Sequence, residues 1–376
     1  MLRKSTGRHD AASVKEKPMT DASETPGSGN RKAWPDVMTW VGRATALLGL
    51  FASLAGGVTW FVTHHRQAAE RNAKMALAQT QIEQQDYPAA VATYGEILKD
   101  APAYAPALDA QLKAAELWVE EFHVLAPEGQ SPSAVAGAAL DQLMPVLDAG
   151  LARSRGADAA DVEAHIGWAH WLNQAIAERE SGSAAEQNLR AALAADPHNV
   201  YANAMLGNWL LQNGGDLAEA THDLDAAVAT GYARPFVRRM QLGGLTYLDR
   251  RGARAAQVRV VNDMRKAGEP LDENYKSRVL TFCFNPTTTD HDELVESLSA
   301  VAPDDAWKTY LWLDDRPDNP DDRQLTHEFI QANLLELSGN RAQALEKFRL
   351  LSQELKNSAS TMVDPVNEAI ARLSHG

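Results

Sequence analysis

The sequence predicts an all-α fold, a solenoid of helical hairpins preceded by a single transmembrane helix. Three observations lead to this prediction. Ala, Leu, Glu and Gln, which lose little conformational freedom on entering a helix, dominate the 376 residues, and alternating runs of β-branched residues are scarce. Residues 44–62 contain no charge. The chain beyond them repeats one helix-turn-helix spacing, and its length of about 310 residues exceeds what one compact core usually holds.

Residues 1–36 are predicted to be a disordered basic tail. Ser, Thr, Gly, Pro and Lys are frequent there, and large apolar residues are almost absent. Such a segment cannot bury enough apolar surface to offset the entropy cost of ordering.

Residues 37–64 are predicted to form a transmembrane helix. The uncharged stretch 44–62 (ATALLGLFASLAGGVTWFV) would span about 28 Å as a helix, close to the ~30 Å hydrocarbon thickness of a bilayer. Trp40 and Trp60 lie near its two ends, where interfacial aromatic residues are common. A cleavable signal would lie nearer the N-terminus, and a helix lying on the membrane surface would carry a charged face.

The charge distribution predicts the orientation of this helix. Residues 1–43 hold eight Lys or Arg and five Asp or Glu, whereas the residues from 66 onward hold 28 and 45. Because basic segments tend to stay inside, we expect a cytoplasmic N-terminus and an exported domain at the inner (cytoplasmic) membrane. Arg66, Arg71 and Lys74 follow the span closely, so the inverted topology, with a cytoplasm-facing domain, stays open.

Small residues recur along the predicted span. Gly49, Ser53 and Gly57 are spaced four apart, which places them on one face of the helix. Such a face allows close approach of a second helix. It predicts packing against another membrane subunit or against a second copy of the chain.

A repeat unit is most visible at residues 76–104, which read as a helix, a turn, a second helix and a proline. Its positions are Asp86, Tyr87, Ala90, Tyr94, Ile97, Leu98 and Pro102. Small Ala90 permits close helix packing, Tyr94 and Ile97 follow on the same face, and Pro102 stops the helix. This spacing resembles the tetratricopeptide repeat family, in its membrane-anchored bacterial type.

The spacing returns further along the chain, which predicts five to seven helical pairs in one or two blocks. We expect repeat pairs at 65–125, 161–284 and 321–376, the last with a capping helix, and irregular helical segments at 126–160 and 285–320. The later copies are marked by Ala185, Leu189, Ala192 and Pro197; by Leu206, Gly207, Ala220, Leu224 and Ala227; by Gly243 and Gly252; and by Gly339, Ala344, Phe348 and Leu351.

The resemblance implies a concave surface that binds a protein or peptide partner. Amide side chains suit this task because they both donate to and accept from a peptide backbone. Placing the groove-facing positions of the first helices on the matched copies predicts these groove residues: Asn72, Gln79, Tyr201, Asn208, Phe329 and Asn333.

The predicted function is that of a non-catalytic adaptor or scaffold that holds a partner at the bacterial envelope, with no cofactor and no metal. His165 and His170 are five residues apart and point about 140° away from each other on a helix, so they do not form a zinc pair. The acidic domain disfavours nucleic acid. A rival from another class stays open: an enzyme or sensor with a site at 285–320, where His291, Asp292 and Glu293 would converge.

Overall fold

The protein is helical throughout the part that the computed structural model describes, residues 36–179, 183–247, 252–287, 289–315, 320–356 and 360–375, where no strand occurs. The helices of these ranges are α1 (Asp36–Glu83), α2 (Tyr87–Asp100), α3 (Ala105–Glu120), α4 (Pro132–Arg153), α5 (Ala157–Ala175), α6 (Ala184–Ala195), α7 (Val200–Gln212), α8 (Leu217–Gly231), α9 (Pro235–Leu245), α10 (Ala253–Ala267), α11 (Glu273–Val279), a π-helical turn (Leu280–Phe284), α12 (His291–Leu298), α13 (Pro303–Leu313), α14 (Pro320–Leu337), α15 (Arg341–Leu355) and α16 (Val363–His375). The predicted all-α class is confirmed.

Internal contacts divide the chain into two compact units, Met1–Ala69 and Glu70–Gly376. The predicted disordered tail at 1–36 lies almost entirely outside the described residues. The first unit holds the N-terminal part of α1, and the second holds the remaining helices.

Short polar residues begin several of these helices in the second unit. The Asp216 side chain accepts hydrogen bonds from the backbone N–H groups of Ala218 and Glu219, and Asn199 accepts one from Ala202. These bonds satisfy N–H groups that have no partner inside the helix. Gly339 has a φ of 80° and lies in the turn before α15, at a position that the repeat spacing assigns to a turn.

Successive helices of the second unit pack in pairs, and the repeat positions lie at the crossings. Gly167 of α5 lies against Ala185 and Leu189 of α6, and Gly207 of α7 lies against Ala220 and Leu224 of α8. The small and large apolar positions of all the matched second helices are buried, with at most 5% exposure: Ala90, Tyr94, Ile97, Ala185, Leu189, Ala192, Ala220, Leu224, Ala227, Ala344, Phe348 and Leu351.

The first helices of successive pairs form a connected layer. Helix α3 contacts α5, α5 contacts α7, and α7 contacts α9, while α4, α6 and α8 each pack against the helices before and after them in sequence. The first helices of successive pairs are therefore neighbours in space as well as partners of the intervening helices.

Two apolar cores fill the second unit. The first contains buried side chains from Ala78 to Val237, and the second contains buried side chains from Leu242 to Leu373. Phe236 and Val237 of α9 belong to the first core, and Leu242 and Leu245 of the same helix belong to the second. Helix α9 is thus shared by both cores.

The segment predicted as irregular, 126–160, is more regular than expected. Helix α4 runs for 22 residues and contains Pro145 in its interior. An interior proline costs about 3 kcal/mol, whereas full burial of a leucine side chain contributes about 1.5–3 kcal/mol. Leu140, Leu143 and Leu147 are at most 1% exposed, so their packing outweighs the proline.

The predicted membrane span at 37–64 falls within α1, and the structure describes no surroundings for most of its residues, Gly49 among them. Ser53 and Gly57 are exposed, and a Cβ atom at Gly57 would meet nothing within 4 Å. Val58, Trp60, Phe61 and Val62, at the end of the stretch, are each more than half exposed.

Within the described residues, one helix is long and apolar enough to cross a membrane, α4 at Pro132–Arg153. Its Leu140, Leu143 and Leu147 are buried in the first core, where α4 packs on α3 and α5. Length and composition alone therefore do not distinguish a span from a core helix here.

Replacing Gly207 with alanine should destabilise the protein. The new Cβ would lie 2.8 Å from both the Ala220 carbonyl oxygen and Leu224 Cγ, and backbone cannot move as easily as a side-chain tip. We expect a loss of about 1–3 kcal/mol in the free energy of unfolding, measured by chemical denaturation of the purified chain in detergent.

Gly95→Ala is the matched control, since the nearest atom to its new Cβ is the flexible Gln111 Nε2 at 3.3 Å. This variant should be unchanged or gain up to about 1 kcal/mol through helix propensity. Equal stability of the Gly207→Ala variant and the wild type would contradict close packing of α7 on α8.

Candidate functional site

The groove residues predicted on α1 are accessible. Asn72 and Gln79 are both exposed, and Gln79 Nε2 donates a hydrogen bond to Glu83 at 3.4 Å. Both residues belong to the second unit, near the ion pair between Lys74 and Glu96 at 3.0 Å. Their role in partner binding stays a prediction.

The groove residues predicted on α7 are buried. Tyr201 is 8% exposed and Asn208 is 2% exposed. Asn208 Nδ2 donates to the Met240 carbonyl oxygen at 3.4 Å, and Asn208 Oδ1 accepts a hydrogen bond from Gln212. The Asn208 amide thus links α7 to α9, and its role in peptide binding stays a prediction.

The groove residues predicted on α14 are buried too. Phe329 is 4% exposed and packs its ring edge against Phe348, with centroids 5.6 Å apart. Asn333 is 2% exposed and donates to the Phe329 carbonyl oxygen at 2.9 Å. Both side chains are thus buried, and their role in partner binding stays a prediction. A buried amide, like one on a surface, needs a hydrogen-bond partner for each of its polar atoms.

The strongest concentration of interacting polar groups lies in the connected layer of first helices. We call it the Tyr201 cluster, and it is centred on the phenol ring of Tyr201 in α7. The ring lies 4.6 Å from the His165 ring of α5 and 4.7 Å from the Arg234 guanidinium carbon at the start of α9. Its members are Lys113, Glu116, Glu120, Asp161, His165, Tyr201 and Arg234.

His165 and Glu120 form a buried ion pair at the base of the cluster. The His165 side chain is fully buried, and its Nε2 lies 3.3 Å from Glu120 Oε1. Its Nδ1 lies 2.6 Å from the Asp161 carbonyl oxygen. Since both ring nitrogens face acceptors, only the doubly protonated imidazolium can donate to both.

The electrostatics of the pair follow from this geometry. Burial lowers the pKa of His165, but the hydrogen bond to Glu120 and the charges of Glu116 and Glu120 outweigh it and raise the pKa above its ordinary value. Burial raises the pKa of Glu120, but the hydrogen bonds from His165 and Tyr201 and the charges of His165 and Lys113 outweigh it, so this pKa is lowered. Each partner therefore favours the charged form of the other.

The position of His165 is fixed from a third helix. Asn199, the N-cap of α7, donates from Nδ2 to Asp161 Oδ1 at 2.5 Å, and the Asp161 backbone in turn accepts from His165. Asn199 Oδ1 accepts from the Ala202 N–H at 2.8 Å. One amide side chain thus caps α7 and holds α5 in place.

An ion pair joins helices that are far apart in sequence. Arg239 of α9 donates from Nη2 to Glu121 Oε1 at 2.6 Å and to the Glu120 carbonyl oxygen at 3.2 Å. The two residues of the pair are 118 positions apart. The first-helix layer is therefore bridged between the end of α3 and α9, which narrows the surface that a partner could enter.

Two cations remain at the accessible edge of the cluster. The Lys113 side chain is 54% exposed and pairs with Glu116 at 3.1 Å. Arg234 is exposed and stacks on Tyr201, and it forms no ion pair with any residue that the structure describes. Its guanidinium N–H groups are available to an acceptor from outside.

Sequence reasoning singled out His165 and Tyr201 but did not connect them. Asp161, Glu120, Lys113 and Arg234 were missed, because Glu120 and His165 are 45 positions apart and no local motif marks their pairing. Alignment of the first helices of successive repeats could have placed these residues on one layer.

The alternative site at 285–320 would need His291, Asp292 and Glu293 to converge on a cavity. None of the three lines the described cavity, which is formed by α9, α10, α11 and the π-helical turn. Glu293 forms the capping box of α12 with Asp290 and pairs with Arg254 at 2.9 Å. His291 is half-buried, and Asp292 is exposed. Among the described residues, no three His, Cys, Asp or Glu side chains are grouped so that they could hold a metal ion.

No protein-family model matches the chain, and no curated protein matches its sequence. The chemistry of the Tyr201 cluster is therefore the basis for assigning a function.

Replacing His165 with glutamine should change how stability depends on pH. A group whose pKa is raised on folding contributes stability below its unfolded pKa, about 6.5 for histidine, and loses it as pH rises through the folded value. Loss of one partner of a buried pair costs about 3–5 kcal/mol. The difference in unfolding free energy between wild type and His165→Gln should thus be largest near pH 6 and shrink toward pH 9.

Chemical denaturation at several pH values measures this difference. The exposed His198 provides the control, and His198→Gln should follow the wild type across the range. A His165→Gln defect of constant size from pH 6 to pH 9 would rule out a charged imidazole in the pair.

Proposed function

We propose that this protein is a membrane-anchored adaptor of the tetratricopeptide-like type, without catalytic activity, that binds a segment of a partner polypeptide beside Tyr201. The observation that carries the proposal is Arg234, an exposed cation stacked on a buried aromatic ring with no carboxylate partner among the described residues.

Repeat architecture supports this proposal. The contacts Gly167 to Ala185 and Gly207 to Ala220 recur at equivalent crossings, and the first helices from α3 to α9 form a connected layer. First helices that touch one another in this way present one continuous side of the array. In repeat arrays of this type the inner side is an extended binding surface.

The chemistry at the edge of the cluster indicates what the partner offers. Arg234 and Lys113 flank the phenol of Tyr201, and both lower the pKa of that phenol while burial raises it. A guanidinium over an aromatic ring still presents its N–H groups in one plane, and that planar fork matches a carboxylate. The partner is therefore a polypeptide segment that brings an Asp or Glu side chain to this edge.

The anchor is proposed to be the segment 44–62 of α1. Its uncharged length matches a bilayer, and the large apolar side chains at its end are exposed. The balance of basic residues favours a cytoplasmic N-terminus and a periplasmic or extracytoplasmic domain at the inner membrane. Packing through Gly49, Ser53 and Gly57 would join the anchor to another membrane subunit or to a second copy.

Charge reversal at the cluster edge tests the adaptor. Full-length protein with Lys113→Glu and Arg234→Glu should recover about tenfold less crosslinked partner from native membranes than the wild type, because repulsion replaces attraction for the partner's carboxylate. Quantitative mass spectrometry of the crosslinked fraction measures this recovery.

Lys308→Glu with Arg349→Glu is the control, since it makes the same charge change at two exposed positions on α13 and α15. This variant should recover the partner as the wild type does. Equal recovery by the control and by the cluster variant would refute binding beside Tyr201.

A reporter fusion decides the orientation of the anchor. Alkaline phosphatase, which needs an oxidising compartment, should be active when fused after Gly376, since the proposed topology exports the domain. Fusions of a cytoplasm-dependent reporter at the same site provide the converse readout. Activity of the cytoplasmic reporter alone would select the inverted topology.

A further inference from the structure

A cavity of about 380 Å³ opens in the second core, at the junction of α9, α10, α11 and the π-helical turn. Its volume falls in the range of small-molecule pockets, about 300–1,000 Å³. Arg254 from α10, Arg278 from α11 and Phe282 from the π-helical turn are among its lining residues. No Asp or Glu is among its lining residues within the described part of the chain.

Arg254 is the anchoring residue of this cavity. Its side chain is 13% exposed, and its guanidinium carbon lies 3.8 Å from the centroid of the Phe282 ring. Nη2 binds Glu293 Oε2 at 2.9 Å. Nη1 is buried and has no hydrogen-bond partner among the described residues. A buried donor left unpaired costs about 1–3 kcal/mol.

A second cation completes the positive side. Arg278 lines the cavity, is exposed and forms no ion pair with the described residues. Its neighbour Ser277 lines the cavity from the same helix, and Thr246 lines it from the end of α9. Thr246 Oγ1 donates to the Gly243 carbonyl oxygen at 2.7 Å. Two guanidinium groups and hydroxyl groups facing one space form a donor set suited to an oxyanion.

The π-helical turn supplies the apolar side. Phe282 is 36% exposed, and π-helical turns are rare and frequent at functional sites. Cys283, the next residue, is buried against Gln257, with Sγ 3.6 Å from Oε1. The turn thus buries one side chain in the core and leaves the aromatic ring of its neighbour at the cavity.

We propose that this cavity binds a small molecule with one anionic head, a phosphate or a carboxylate, on an apolar body. The head lies between the guanidinium groups of Arg254 and Arg278, and the apolar body lies against Phe282. The cavity residues are separate from the Tyr201 cluster, so this binding does not depend on the adaptor function.

Calorimetric titration of the purified full-length chain in detergent tests the site, with phenyl phosphate and benzoate as the two probes. At least one probe should bind, and the tighter of the two identifies the head. Arg278→Gln should weaken that binding about tenfold, the size of a lost charge-assisted hydrogen bond. Arg254→Lys, which keeps the charge but loses the planar fork, should also weaken it.

Arg259→Gln is the matched control, because Arg259 is an exposed arginine on the same helix as Arg254 and does not line the cavity. It should change the affinity less than twofold. If Arg254→Lys loses its circular dichroism signal, the comparison of Arg278→Gln with Arg259→Gln still decides. Absence of binding by both probes, or equal affinity of these two variants, overturns the proposal.

Discussion

The close approach of paired helices is the constraint on which the second unit depends. At the crossing of α7 and α8, a single methyl group at Gly207 would lie 2.8 Å from the backbone of Ala220. Gly167 against the Ala185 carbonyl oxygen, at 3.1 Å, repeats this constraint one pair earlier. Helices that approach so closely bring their neighbouring large side chains, such as Leu189 and Leu224, into full contact. Short helices with modest amphipathicity can then hold a stable array.

Burial of charge in the first-helix layer follows from the same close packing. His165 has no exposure, and such a group is tolerated only when its charge is paired and its donors are satisfied. Glu120 and the Asp161 carbonyl oxygen provide both acceptors. This arrangement fixes the ring relative to α3, since an imidazole displaced by a single turn of α5 would lose Glu120.

The repeat spacing was sufficient to predict the all-α class and the buried positions of the second helices, because a period of four and seven residues selects one helix face. It did not predict that the side chains of Asn208 and Asn333 are buried. A polar residue looks the same in sequence whether it faces water or another helix, and only the distance to Met240 or Phe329 distinguishes the two. The length of α4 within 126–160 was not predictable for a related reason: Pro145 indicates a break locally, but the packing of Leu143 and Leu147 is a tertiary effect.

The candidate site was predictable only in its individual residues. His165 stands out in the sequence because it lies near Trp168, but its partner Glu120 lies 45 positions away on another helix. Pairings of that separation depend on the register between repeats, which neither the local periodicity nor the charge count contains. The cavity beside Arg254 was missed for the same reason, since its lining comes from three helices and a turn.

Helix α9 couples the unfolding of the two cores of the second unit. Eleven residues long, it inserts Phe236 into one interior and Leu242 into the other. Neither core can unfold without losing its contacts with α9, which the other core still holds in place. The two cores of the second unit are thus joined through a shared helix, so heat or denaturant should disrupt them in one concerted transition.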